Sequence, residues 1–176
     1  LIMENKIWLG VSSGAKTYSK PDGTEHKMGN TCWFVNLEHG RRHEPLSLMT
    51  MKDNLRFNKT IKEVGYKKYD NYEAIEVPKT VAIPSDYKGV MGVPISFLDK
   101  YNPDQFEIIG SDAYVDTPPT KKYKNKFRVK DGERMKSNTG TMGCVIREEK
   151  FGPGTYFDVG YPVRAVYKRI FIKHRG

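Results

Sequence analysis

The residues best placed to do chemistry are cations. Lys122, Lys124, Lys126, Arg128 and Lys130 fall at a strict spacing of two, with Tyr123, Asn125, Phe127 and Val129 between them. In an extended strand alternate side chains share a face. The spacing therefore predicts five cations on one face, with Tyr123, Phe127 and Val129 turned toward a core. Like charges in one row repel, and a polyanion that neutralises them relieves the repulsion. The row reads as a set of phosphate contacts. It also suits an edge strand whose lysines prevent edge-to-edge pairing, and the pattern alone leaves both readings open.

A second cluster is Asn36-Leu37-Glu38-His39-Gly40-Arg41-Arg42-His43. Arg is the common bidentate reader of guanine, and Asn that of adenine. Asn36, His39, Arg41 and Arg42 are thus candidate base-contacting residues, on a polar loop expected to project from the end of a strand. The opposing reading is a solvated loop with internal ion pairs. Zinc ligation by His39 and His43 would need a helix across Gly40 and a third ligand at a sensible spacing, and neither is offered. Asp22, Glu25 and Lys27 echo the acidic pair and lysine of metal-dependent nucleases. They lie within one expected turn, whereas metal chemistry needs carboxylates converging from separate elements. No Ser or Cys has a nucleophile's setting, and no glycine-rich loop follows a strand and opens a helix. We assign no catalytic, cofactor-binding or metal-ligating residue.

The elements that must carry these residues are short. Ile7-Trp8-Leu9-Gly10-Val11 and Thr31-Cys32-Trp33-Phe34-Val35-Asn36-Leu37 read as strands. Lys20-Pro21-Asp22-Gly23 is a turn between strands near 15–19 and 24–28. A short helix is expected near Met51–Phe57. Further strands are expected at Ala74-Ile75-Glu76-Val77, at 93–98 (with Pro94 arguing for an edge), at 106–110, 123–129 and 144–147, and from Arg164 to Lys173. Asn102-Pro103-Asp104-Gln105 carries helix-start chemistry. The fold class predicted is α+β and β-rich, a mixed sheet with few short helices.

The charge is unevenly placed. The 176 residues carry 30 Lys and Arg against 21 Asp and Glu, a net charge of +9. Residues 121–175 hold 15 basic and 5 acidic residues, so all the excess lies in the last third. The stretch Asp116-Thr117-Pro118-Pro119-Thr120 marks the change. We therefore expect a division into residues 1–115 and a basic segment 116–176, within one domain or two. Such asymmetry points to a polyanionic partner. The 21 aromatic residues argue against disorder, although mean hydropathy is −0.66. No apolar run approaches the ~20 residues of a membrane span, and two cysteines, Cys32 and Cys144, make no disulfide framework. A cytoplasmic location and no membrane partner are expected. Residue 1 is Leu rather than Met, and a longer parent chain is expected.

Several strings resemble the adenine-specific DNA methyltransferases of the EcoRI family. They are Glu4-Asn5-Lys6-Ile7-Trp8-Leu9-Gly10, Trp33-Phe34-Val35-Asn36-Leu37-Glu38-His39-Gly40-Arg41-Arg42, Tyr69-Asp70-Asn71-Tyr72-Glu73-Ala74-Ile75-Glu76-Val77, residues 91–110, and the closing Tyr167-Lys168-Arg169-Ile170-Phe171-Ile172-Lys173. The resemblance covers roughly residues 4–115 and 160–175. It implies methyl transfer from S-adenosylmethionine to the N6 of adenine in duplex DNA. It also implies a cofactor loop and an Asn-Pro-Pro-Phe motif that this sequence lacks. Its single Asn-Pro, Asn102-Pro103, is followed by Asp104-Gln105. By this resemblance the chain is the C-terminal portion of such an enzyme: the last part of a Rossmann-like methyltransferase sheet plus DNA-recognition material. S-adenosylmethionine would then belong to the parent enzyme, with no cofactor expected on this chain. Duplex DNA and the parent's N-terminal catalytic half would be its partners. The alternative is a stand-alone basic module for RNA or single strands, with Tyr and Trp stacking on bases.

Overall fold

The structure, a computed structural model, describes residues 8–19, 25–34, 40–112, 117–124, 126–136, 142–150 and 154–176; for 8–19, 25–34 and Arg41 it describes the backbone path. The expected turn at Lys20-Pro21-Asp22-Gly23 lies outside the described residues. The chain divides into two compact units, Leu1–Gly40 and Arg41–Gly176.

The described residues of the first unit form a pair of strands. β1 (Trp8–Ser19) and β2 (Glu25–Phe34) pair antiparallel, from Trp8 opposite Phe34 to Ser19 opposite Glu25. The sequence reading places the first strand at Ile7-Trp8-Leu9-Gly10-Val11. Instead the register shifts between Ser12 and Lys16, and the strand continues. Residues 13–15 face Gly29 alone, so a bulge absorbs the break.

In the second unit, α1 (Met51–Phe57) starts where expected and α2 (Lys59–Val64) follows at once. Thr50 Oγ1 accepts from the Asp53 N–H at 3.1 Å and donates to its carboxylate at 2.7 Å, a reciprocal cap. Asn58 closes α1 through its N–H to Asn54 O and caps α2 with its side chain. Helices this short need tertiary support, and Ile61 supplies it from within the main core.

Among the described residues nine strands follow. They are β3 (Ile75–Glu76), β4 (Met91–Pro94), β5 (Phe106–Ser111), β6 (Phe127–Lys130), β7 (Glu133–Lys136), β8 (Val145–Arg147), β9 (Thr155–Asp158), β10 (Pro162–Ala165) and β11 (Arg169–His174). One sheet has the order β3-β4-β11-β5, the other β7-β6-β9-β10-β8. β3 and β4 run parallel, and the remaining pairings are antiparallel. The chain is thus β-rich α+β with a mixed sheet and short helices, the class the sequence predicts.

β11 is the centre of the four-stranded sheet. Ile170 and Ile172 point into a core with Val77, Val93, Phe97 and Phe106. Phe171, on the other face, packs with Tyr69, Tyr72, Cys144 and Ile146. Gly92 is required beside this second core: a Cβ there would fall 2.2 Å from the Tyr69 hydroxyl.

Three expected elements change form. Pro94 ends β4 and the chain turns into a 3-10 helix, Ile95–Lys100, because proline cannot continue the ladder. Asn102 does cap, accepting from the N–H groups of Asp104 and Gln105, but no helix follows. Phe106 is already paired in β5 with His174. The single strand expected from Arg164 to Lys173 is two. β10 pairs in the five-stranded sheet and β11 in the other, with Val166 N–H bonded to Cys144 O between them.

β6 and β7 join through Asp131 and Gly132, both at positive φ (51° and 85°). That is the two-residue hairpin turn for which Asp-Gly is preferred. The core under this sheet is small: Met142, Val145 and Val163, flanked by Tyr123, Phe157, Val159 and Tyr161. Among the described residues no helix is long and apolar enough to cross a membrane.

Candidate nucleic-acid interface

The five-cation row does not lie on one strand. β6 begins at Phe127 and carries only Arg128 and Lys130. Within it the expected alternation holds: Arg128 and Lys130 are exposed, Phe127 and Val129 half-buried. Lys122 and Lys124 are exposed on irregular chain before the strand, and Lys126 is half-buried. Tyr123 is half-buried too, so the full burial expected for Tyr123, Phe127 and Val129 is reached by none of them.

The reason lies at Asp70. Its Oδ2 accepts from the Tyr161 hydroxyl at 2.7 Å, from the Tyr123 hydroxyl, and from Lys121 Nζ at 3.1 Å. Lys121 also donates to the Tyr161 hydroxyl and lies 4.8 Å from the centre of that ring. These anchors hold residues 121–123 to the side of the 70–74 segment, so the chain enters the sheet only at Phe127. Asp70 itself is fixed by its N–H to Val145 O (2.9 Å). Asn71 clamps the same place, accepting from Val145 N–H at 3.0 Å and donating to Gly143 O at 2.9 Å. Thr120 N–H completes the clamp on Asn71 O.

Burial pushes the Asp70 carboxyl up, but the hydroxyls of Tyr123 and Tyr161 and the Lys121 ammonium outweigh it and hold the group below the usual carboxylate range. The Lys121 ammonium is correspondingly held charged, by its bond to Tyr161 first and by Asp70 next. Asn71, Pro119, Lys121, Lys122, Tyr123, Lys126 and Met142 line a groove of about 210 Å³ beside this knot. Arg147 stacks 4.3 Å from the Tyr161 ring centre. Such an arrangement offers ammonium groups to an anion, with the tyrosine faces holding the cations in place. Among the described residues no group of three or more His, Cys, Asp or Glu is placed to hold a metal ion.

The second sequence cluster falls elsewhere. Asn36 and His39 lie outside the described residues. Arg41 and Arg42 belong to a 3-10 turn, Gly40–His43, rather than an open loop, and Arg42 is half-buried. His43 Nδ1 pairs with the Asp104 carboxylate, and the Gln105 side chain brackets Leu46 through both its N–H and its carbonyl.

Sequence reasoning missed Asp70, Lys121 and Tyr161, because their partnership spans 40 to 91 residues. The Tyr-rich string 66–72 was the available signal. It also missed the buried pair Arg169–Glu76, where Nη2 meets Oε1 at 2.6 Å and Tyr69 donates to the same carboxylate. Nearby, Asp112 ties the two sheets together, accepting from the N–H groups of Cys144 and Arg169.

The family described as "Adenine-specific methyltransferase EcoRI" matches residues 1–175. The chain belongs to this family. The match includes the basic segment that the resemblance read from the sequence left uncovered. The chain is 44% identical over 126 residues to the Type II methyltransferase M.EcoRI of Escherichia coli, covering 62% of this chain and 36% of that protein. It is 35% identical over 172 residues to M.MpnI of Mycoplasma pneumoniae, covering 85% of this chain and 51% of that protein. M.MgeORF184P of Mycoplasma genitalium is 42% identical over 126 residues, 60% of this chain and 37% of that protein. The chain thus spans between about a third and a half of the length of these curated relatives. No solved structure matches it.

Proposed function

We propose that this chain is the DNA-engaging, C-terminal portion of an S-adenosylmethionine-dependent adenine-N6 methyltransferase of the EcoRI family. In this reading it holds duplex DNA and does not transfer the methyl group alone. The observation that carries the reading is the family match across the whole basic segment, in a sequence without the Asn-Pro-Pro-Phe motif. The one Asn-Pro here is structurally committed: Asn102 is 2% exposed and its side chain caps the turn at residues 104–105. Lys122, Lys124, Lys126, Arg128 and Lys130 then serve the phosphate backbone. Asn36, His39, Arg41 and Arg42 remain candidates for base contacts. The sheet β3-β4-β11-β5 becomes the last part of the methyltransferase sheet, and the catalytic half of the enzyme is the expected partner.

The test is duplex binding against salt. Each neutralised phosphate contributes about −0.9 to the slope of log K on log salt for B-DNA, so five contacts give about −4.5. Replacing Lys122, Lys124 and Lys130 by alanine should flatten that slope by about 3. The loss should be alike for every duplex sequence, because phosphates carry little sequence information. An unchanged slope removes the phosphate role. Tighter binding to single strands than to duplex favours the stand-alone module. Methyl transfer by the isolated chain would place the cofactor site within it and overturn the division of labour.

A further inference from the structure

Resting on that reading of the basic segment as a DNA-binding surface, we propose that Asp70 is a positioning residue that builds a seat for one backbone phosphate. The seat is the groove lined by Lys121, Lys122, Tyr123 and Lys126. Its ligand class is the phosphodiester of a nucleic acid.

The argument starts from the path of the chain. Residues 117–124 have no strand or helix of their own. What places them is the clamp at residues 70–71: Thr120 N–H on Asn71 O, and Lys121 and Tyr123 on the Asp70 carboxylate. Asp70 is in turn held against β8 by its backbone bond to Val145 and by Tyr161 from beside β10. A single carboxylate thus joins the 117–124 segment, the 70–74 segment and the five-stranded sheet. Its side chain is 13% exposed, whereas that of Lys121 is 45% exposed. The carboxylate therefore works from beneath while the ammonium stays reachable from solvent. Lys121 is flanked by two tyrosine rings, at 4.8 Å and 5.6 Å from their centres. A cation so placed is fixed in position while retaining one of its three donors for an incoming oxygen.

Asp70 also carries a negative charge into a basic site. Removing it has two opposed effects. The electrostatic one, screened at the surface, favours an anion. The geometric one frees Tyr123, Lys121 and Tyr161 together and lets the segment leave the groove. Three convergent donors on one largely buried oxygen make the geometric effect the larger.

Two variants of the 176-residue chain separate these effects, each assayed for duplex binding against salt, for melting temperature and for amide exchange of residues 120–123. Asp70→Ala should weaken binding, flatten the salt slope by about 1 to 2 and speed exchange. Asp70→Asn keeps an acceptor oxygen for the hydroxyls and should restore the wild-type slope. A purely structural Asp70 would lower the melting temperature and leave the slope unchanged. That result, or tighter binding by Asp70→Ala, overturns the proposal. If Asp70→Ala does not fold, Tyr123→Phe carries the test. It removes one donor, and the slope should flatten by about 1 with melting within a few degrees; no change overturns the proposal. A wild-type chain without salt-dependent duplex binding overturns the DNA reading itself, a different pattern of failure.

Discussion

On β11 of the four-stranded sheet, Arg169, Ile170, Phe171 and Ile172 are all buried, between two cores. On β6 and β7 of the five-stranded sheet no side chain is buried. The first sheet holds by apolar packing on both faces. The second sits over a small core and is held at its margins by polar contacts: Asp70 with Tyr123 and Tyr161, Arg134 with Asp158, and Glu148 with Lys67 and Arg164. A surface that must stay wet and cationic cannot also bury its strands. On the proposed reading, the division places stability in one sheet and polyanion contact in the other.

The sharpest way to break this comparison is at Phe171. It is 2% exposed and touches Tyr72 at 4.8 Å and Tyr69 at 6.3 Å between ring centres. Phe171→Ala should cost about 3–5 kcal/mol. Thermal melting should fall by about 10 °C or more in a chain of this size. A loss below about 1 kcal/mol would mean that the second core collapses to fill the cavity.

The counterpart in the wet sheet is Phe127. Half-buried, it lies under the Arg134 guanidinium at 3.9 Å, and Arg134 is itself paired with Asp158. Phe127→Ala should cost about 1–2 kcal/mol, well below the value for a fully buried phenylalanine. Urea unfolding of both alanine variants gives the ratio directly. Equal costs would erase the distinction between the sheets.

These two residues also show how far the sequence could be read. Phe171 stands in the continuous apolar run Ile170-Phe171-Ile172, the pattern of a strand that meets a core on each side. Phe127 stands in a clear alternation, yet its burial was overestimated. Periodicity reports which residues share a face and not how much protein covers that face. The strand at 123–129 was expected four residues too early because Tyr123 and Lys121 answer to Asp70, some 50 residues back. Local pattern carries no sign of such a partnership. The Asp131-Gly132 turn was a local signal and could have been read: it ends β6 at Lys130 and fixes the β6–β7 register. The helix-start chemistry at Asn102 was read correctly as a cap. It was overruled by the pairing of Phe106 with His174, a contact across 68 residues that only the closed sheet reveals.

The gentlest probe is acid. Asp70 and Glu148 are both held below the usual carboxylate range. In each, burial pushes upward and is outweighed, at Asp70 by Tyr123, Tyr161 and Lys121, at Glu148 by Arg164 and Lys67. A carboxyl group whose folded value is depressed binds protons more readily in the unfolded chain. Its contribution to stability is complete above the unfolded value of about 4 and is lost as pH falls through the lower folded value. Stability should therefore be level from neutral pH to about 5 and decline below about 4. Both groups serve the five-stranded sheet, so the loss should be local at first. Amide protection of Val163 and Arg147 should fall with acid before that of Ile170 and Ile172. Asp70→Asn removes one of the two titrations, and its unfolding midpoint should drop less between pH 5 and pH 3 than that of the wild type. An equal drop would move the acid sensitivity away from Asp70, and simultaneous loss of protection in both sheets would show that they open as one cooperative unit.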